Sequence, residues 1–318
     1  MTQIRIAMAQ LSSSEDRAAN LTRCLEAVDQ AAAGGAHLVC FPEVVLDRFF
    51  PAEPGTPTCK LAAHELSEPV PGPVTEQLCA RAKEHGIAIV FNLYEVDGSA
   101  GGVVSSERRY FDTSPVIDSD GTLLGVTRMI HITDYDGFHE QDYYDPGDTG
   151  APVYEVDLGG RPVKVGVAIC YDRHYPEYMR GLAVAGAELV VIPQAGTLGE
   201  WPEGLYEAEI RTAAFQNGYF AALCNRVGVE KTLTFAGESF VSDPEGIVLA
   251  RGKSLEDDLV FADLDLSRCA ESNARQLFFR DRRPELYSDW LTSSPASEEK
   301  DSEEKVSPRV EALASCEV

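Results

Sequence analysis

Short apolar runs alternate with helix-period stretches from the start of the chain. IRIAMAQL, from Ile4, reads as a strand. The following SSEDRAANLTRCLEAVDQAAAGG predicts a helix with Ser at its cap, Glu and Asp in its first turn and Gly at its end. Its apolar positions Leu21, Leu25, Val28 and Ala32 keep helical spacing. AHLVCFPE is then a buried strand, VTEQLCARAKEHG a helix closed by Gly, and IAIVFNLYEV another strand. This βαβαβ rhythm implies an α/β sheet covered by helices.

The texture then changes. RRYFDTSPVIDSDGTLLGVTRMIHI predicts two strands joined at Ser119-Asp120-Gly121, a hairpin turn. VKVGVAIC and ELVVIPQAG are further buried strands around the helix PEYMRGLAVAGA. EGLYEAEIRTAAFQNG predicts a helix, YFAALCN a strand, and FAGESFVSDPEGIVLARG a hairpin turning at Asp243-Pro244-Glu245-Gly246. Hairpins among βα units imply a mixed sheet, or two stacked sheets. The stretch 1–292 is expected to be one domain, closed in strand by DLVFADLDL. From Ser293 the chain is rich in Ser and Glu, and 293–318 is expected to be an acidic, disordered tail.

Composition narrows the partners. Formal charge is −25, which argues against nucleic acid or an anionic membrane. Seven of the 27 Lys and Arg are Lys, and an acidic surface with few Lys fits a high-salt environment that screens self-repulsion. There is no apolar run of membrane-spanning length and no signal-peptide pattern, so a cytoplasmic protein is expected. The eight Cys form no CxxC pair, so most should be reduced core residues, and one could be a nucleophile.

Three stretches carry candidate chemistry. Glu43, in CFPEVVL, follows a buried strand and a Pro, where desolvation would raise its pKa and suit it to accept a proton. Cys170, in VGVAICYDRHYPE, ends a strand before a polar turn and a helix. That placement exposes a nucleophile and aims backbone N–H groups at a developing oxyanion. The cluster Asp172, Arg173 and His174 could lower the thiol pKa or take its proton. Glu140, in FHEQDYYDPGD, precedes an aromatic pair and a Pro-Gly turn in an acidic loop. His131, Asp134, Asp136 and His139 are metal-ligand types, but without the spacing of a fixed site.

Together FPE, RxxHI before EQDYYDPGDTG, and AICYDRHYPE resemble the nitrilase (carbon–nitrogen hydrolase) superfamily, with GAELVVIP, CNRVG and FAGESFVSDPEG fitting in order. The resemblance runs from Ile4 to about Leu266 and is strongest to the N-carbamoylputrescine amidase and β-ureidopropionase branch. It implies a four-layer α-β-β-α sandwich, a homodimer or larger homo-oligomer, a small-molecule amide substrate and no metal or organic cofactor. It makes Glu43 the general base, Cys170 the thioester-forming nucleophile, Glu140 a positioning carboxylate and the Tyr171 N–H an oxyanion donor.

One position departs from the family. The catalytic Lys implied by the resemblance falls on Met129, which has neither charge nor donor. Arg128 is adjacent, but strand neighbours point to opposite faces. Arg173 or a cation on the substrate could stand in. The alternatives to a thiol amidohydrolase are a nitrile hydrolase and a binding protein that keeps the pocket.

Overall fold

The computed structural model describes residues 3–97 and 108–291. The boundary near residue 292 and the acidic tail lie outside them. The first strands are β1 (Gln3–Gln10), β2 (Leu38–Cys40), β3 (Ala88–Val90), β4 (Leu93–Val96), β5 (Tyr110–Ile117) and β6 (Leu123–Arg128). The next are β7 (Val153–Asp157), β8 (Pro162–Val167), β9 (Leu189–Gln194) and β10 (Phe220–Asn225). A separate hairpin, β11 (Val227–Glu230) and β12 (Leu233–Ala236), precedes β13 (Phe240–Ser242), β14 (Val248–Arg251) and β15 (Asp258–Asp265).

These strands build two mixed sheets. One runs β15-β1-β2-β3-β5-β4, with β6 on β5; the other runs β14-β13-β10-β9-β8-β7. Strand alternation sorts their side chains into layers. Ile4, Ile6 and Met8 share one apolar cluster with Val165, Val167, Val191 and Phe220 of the second sheet. Ala7 and Ala9, on the other face of β1, pack under helices α1 (Arg17–Ala33) and α3 (Pro73–His85), between which the chain forms a short helix α2 (Pro57–His64). Val190, Ile192 and Ala221 of the second sheet pack under α4 (Pro176–Val184) and α5 (Leu205–Asn217). The fold is therefore the α-β-β-α sandwich. Among the described residues, no helix is long and apolar enough to cross a membrane.

Several local expectations need correction. The cap of α1 is Asp16, whose carboxylate accepts from the Ala19 N–H; Ser14 instead bonds Asn20, and the first turn holds no acid. The deepest stripe of α1 is Asn20, Cys24, Ala27, Val28 and Ala31, while Leu21, Leu25 and Ala32 flank it. Small Ala side chains let the helix approach the sheet, which moves the longer Leu to the margin. IAIVFNLYEV is two strands, broken at Phe91-Asn92, where the Asn92 side chain accepts from the Val44 N–H and donates to Asp112 on β5. The chain also continues in helical form beyond β15, through Pro284–Leu291.

Candidate active site

Glu43, Glu140 and Cys170 come together from three loops. Glu43 lies just past β2 in the first sheet. Glu140 opens a short 3-10 turn, Glu140–Asp142, after β6. Cys170 lies not on the strand but in a 3-10 turn, Cys170–His174, beyond the end of β8 in the second sheet. One ligand atom from each lies within 4.8 Å of the others, and all three residues are buried. Two oxygens and a sulfur of this kind could also hold a metal ion.

The backbone is strained at Cys170 and at the residue after Glu43. Cys170 has φ +41° and Val44, next to Glu43, has φ +45°, a region unfavourable for side chains with a Cβ and most of all for Val. Arg226 holds the second turn open. Its fully buried guanidinium donates to the carbonyls of Glu43 (2.8 Å), Val44 (2.5 Å) and Asp47 (2.9 Å), and to the Glu230 carboxylate (2.5 Å). Asn92 completes the clamp by accepting from the Val44 N–H at 2.6 Å.

The pocket holds one more acid than the sequence suggested. Asp112, on β5, is fully buried and accepts from Asn92 at 2.5 Å. Burial raises the Glu43 carboxyl well above the usual carboxylate range, and Asp112 and Glu140 raise it further. Glu140 is raised in the same way, by burial and then Asp112. Burial lifts Asp112 to about 6, against the hydrogen bonds of Glu43 and Asn92. The Cys170 thiol is also pushed well up, by burial and then by Glu43 and Glu140.

This corrects the expectation that the polar residues after Cys170 lower its pKa overall. Arg173 does pull it down, as does the Ala195 N–H, but both are outweighed. Arg173 is buried, donates to the Cys170 carbonyl at 3.4 Å and lies over the Tyr206 ring. Asp172 is taken up by His131, whose Nδ1 is 2.7 Å away. His174 is 2.7 Å from Glu209. Tyr171 follows Cys170, half-buried, with its ring against His174 and Tyr175. The Gln194 side chain donates to the Cys170 sulfur at 3.3 Å. The loop acids and His do not gather: His139 lies 3.4 Å from Asp134, apart from the His131–Asp172 pair.

Met129 is fully buried in the apolar cluster that contains Cys170. Its N–H donates to the Asp112 carbonyl, so it stands across from Asp112 and its side chain shares that face. Arg128 faces away, where it pairs with Glu95 at 2.6 Å and Asp148 at 3.0 Å over the Phe111 ring. The opposite-face rule thus holds, and Arg128 takes no part in the pocket.

Asp112→Asn tests the electrostatics. A carboxyl whose pKa rises from 3.8 unfolded to about 6 folded binds its proton more tightly in the native state. Its stabilising effect is full below pH 3.8 and lost as pH rises through 6. Asn keeps the acceptor for Asn92 and has no charge to bury. The variant should therefore gain on the parent by about 3 kcal/mol between pH 4 and pH 8. Urea melts across that range would show it, and a pH-independent difference would count against it.

A buried thiol thus stands beside two buried carboxyls, in turns carried by two stacked sheets. Residues 5–274 match the family model described as carbon-nitrogen hydrolase, and the chain belongs to that family. It is 30% identical over 298 residues to a citrullinase of Francisella tularensis, covering 90% of this chain and 98% of that protein. It is 29% identical to an N-carbamoylputrescine amidase of Solanum lycopersicum, covering 91% and 95%. A carbon-nitrogen hydrolase structure from Helicobacter pylori superposes with TM-score 0.77 at 28% identity, covering 91% and 98%. An amidase from Nesterenkonia sp. superposes with TM-score 0.69 at 26% identity, covering 91% and 96%.

Asp112, Gln194 and Arg226 escaped the sequence reading. Arg226 had a signal in CNRVG; Gln194 and Asp112 had only a polar residue within a strand.

Proposed function

We propose that the chain is a thiol hydrolase of a non-peptide carbon–nitrogen bond in a small molecule. The convergence of Glu43, Glu140 and Cys170 carries this reading. Glu43 takes the Cys170 proton as sulfur attacks the sp2 carbon. The proton then passes to the departing nitrogen, and the carbon stays bound to sulfur. Water, deprotonated by Glu43, releases the product and restores the thiol. Glu140 orients the reacting group, and the Tyr171 N–H faces the charge that develops on it. A Glu43 carboxyl with a raised pKa suits both proton transfers. The named relatives support N-carbamoyl compounds and linear amides as the first substrates to test.

The test is a broad panel of small non-peptide carbon–nitrogen compounds, neutral and cationic, with ammonia release and the intact mass of the protein as readouts. An adduct on Cys170 with ammonia release is expected. A panel giving neither sinks the proposal. Met129 favours a second reading, a binding protein with a silent site; activity that appears only in Met129→Lys would support it.

A further inference from the structure

Charge is the unusual property of this pocket. Glu43, Asp112 and Glu140 are each fully buried. Both carboxyl oxygens of Glu43, both of Glu140 and Oδ2 of Asp112 have no donor at full hydrogen-bond geometry among the described residues; Glu43 is met only by Asp112 and the Cys170 thiol, and Glu140 by the Thr133 backbone. The charges that weigh most on Glu43 and Glu140 are other acids. Arg173 acts on the thiol and is engaged by the Cys170 carbonyl, Tyr206 and Glu209. Arg128 is held outside by Glu95 and Asp148. The side chain facing Asp112 is Met129.

A second group points to a ligand. The Tyr144 hydroxyl is buried and unpartnered among the described residues, in a residue only 5% exposed. Asp112, Glu140 and Glu43 are the charges that act on it most. A phenol, three carboxyls and a thiol thus converge with acids in excess of cations among the described residues, Arg173 acting on the thiol. Buried acids of this kind need protons or a positive guest.

We infer that the substrate brings the positive charge on the carbon that is attacked: the pocket is built for an amidinium or guanidinium group rather than a neutral amide. This rests on the thiol-hydrolase reading above and narrows its substrate class. A planar cation with N–H groups on two or three nitrogens matches carboxylates in fork geometry.

The chemistry follows from the charges. With a neutral amide, proton transfer to Glu43 and attack by sulfur leave an oxyanion beside Asp112 and Glu140, with Met129 where a cation should be. With an amidinium, the Cys170 proton goes to Glu43, the carbon–sulfur bond forms, and the C=N electron pair moves onto nitrogen. The carboxylate and the cation both become neutral. Glu43 then protonates one nitrogen, the C–N bond breaks, and ammonia leaves. A lone pair from the remaining nitrogen rebuilds a cationic C=N bond on the sulfur-bound carbon. Water attacks that carbon and gives one proton to Glu43; the adduct collapses with its hydroxyl proton passing to the departing sulfur, and Glu43 releases its proton to solvent, where the ammonia takes it up. The sum is amidinium plus water giving amide plus ammonium, or guanidinium plus water giving urea plus ammonium. No step develops an oxyanion without a counter-charge, so the absent Lys costs nothing.

Paired alkylating probes test this without knowledge of the rest of the substrate. The full chain is treated with 2-chloroacetamidine or 2-chloroacetamide. Labelling of Cys170 is followed by peptide mass spectrometry, and each rate is divided by that of glutathione. The cationic probe should label Cys170 at least about 10-fold faster, because charge-assisted hydrogen bonds from the carboxylates hold the amidinium beside the thiol and about 1.4 kcal/mol of such binding is tenfold. Equal rates, or preference for chloroacetamide, would overturn the inference while leaving the thiol reading intact. Absence of Cys170 labelling by both would overturn both. Met129→Lys, which puts an ammonium beside Asp112, should remove or reverse the preference. Glu140→Gln should reduce it and serves if the Lys variant does not fold. A preference unchanged in a folded variant would overturn the carboxylate origin. One equivalent of divalent metal in the purified protein would overturn it too, since the acids would already be neutralised.

Discussion

Cys170→Ala should lower kcat on any substrate the parent turns over by roughly 10⁴-fold or more, the scale seen when a covalent nucleophile is removed. The fold should barely notice. The substitution keeps the Cβ at φ +41° and removes a thiol that burial already disfavours in its charged form. The Gln194 amide loses one weak acceptor, a cost of about 1 kcal/mol. Stopped assays alongside thermal melts would check both halves. Retained turnover with a normal melt would mean the carbon is never bound to this sulfur.

Arg226→Met should cost about 3–5 kcal/mol of stability, the usual loss when one partner of a buried ion pair is removed. The Arg226 side chain is wholly buried, and its loss would leave Glu230 charged without its partner. The Glu43, Val44 and Asp47 carbonyls would lose their donors as well. Met approximates the volume, so a cavity is not the cause. Urea denaturation gives the number, and activity in the surviving folded fraction gives a second. The Val44 turn has φ +45° and depends on that guanidinium, so Glu43 should swing away and the remaining rate should fall. A loss below 1 kcal/mol would show that the turn holds itself.

Glu43, Glu140 and Cys170 were legible because each sits where an apolar or aromatic run gives way to a turn. The chain order of their motifs supplied the rest. The layers were legible for a similar reason: strand alternation in β1 already divides Ile4, Ile6 and Met8 from Ala7 and Ala9. Asp112 was not legible. FDTSPVI reads as a strand with scattered polar residues, and what makes Asp112 special is Glu43, Asn92 and Met129 arriving from elsewhere. The break at Asn92 has the same origin, since its partners are Val44 and Asp112. The pKa of Cys170 was misjudged from its neighbours in sequence. Two of those three turn to other partners, and the decisive charges come from distant loops.

Glu43 follows a strand of one sheet and Cys170 a strand of the other, so the distance between their side chains measures how the two sheets are registered against each other. The greasy layer of Ile6, Met8, Val167 and Phe220 packs between the sheets and sets this spacing. A methylene added or removed there would act as a catalytic lesion at a distance. Function should fade under pressure or mild denaturant before secondary structure does. For such a molecule, tolerance of core substitutions is limited by alignment rather than by stability.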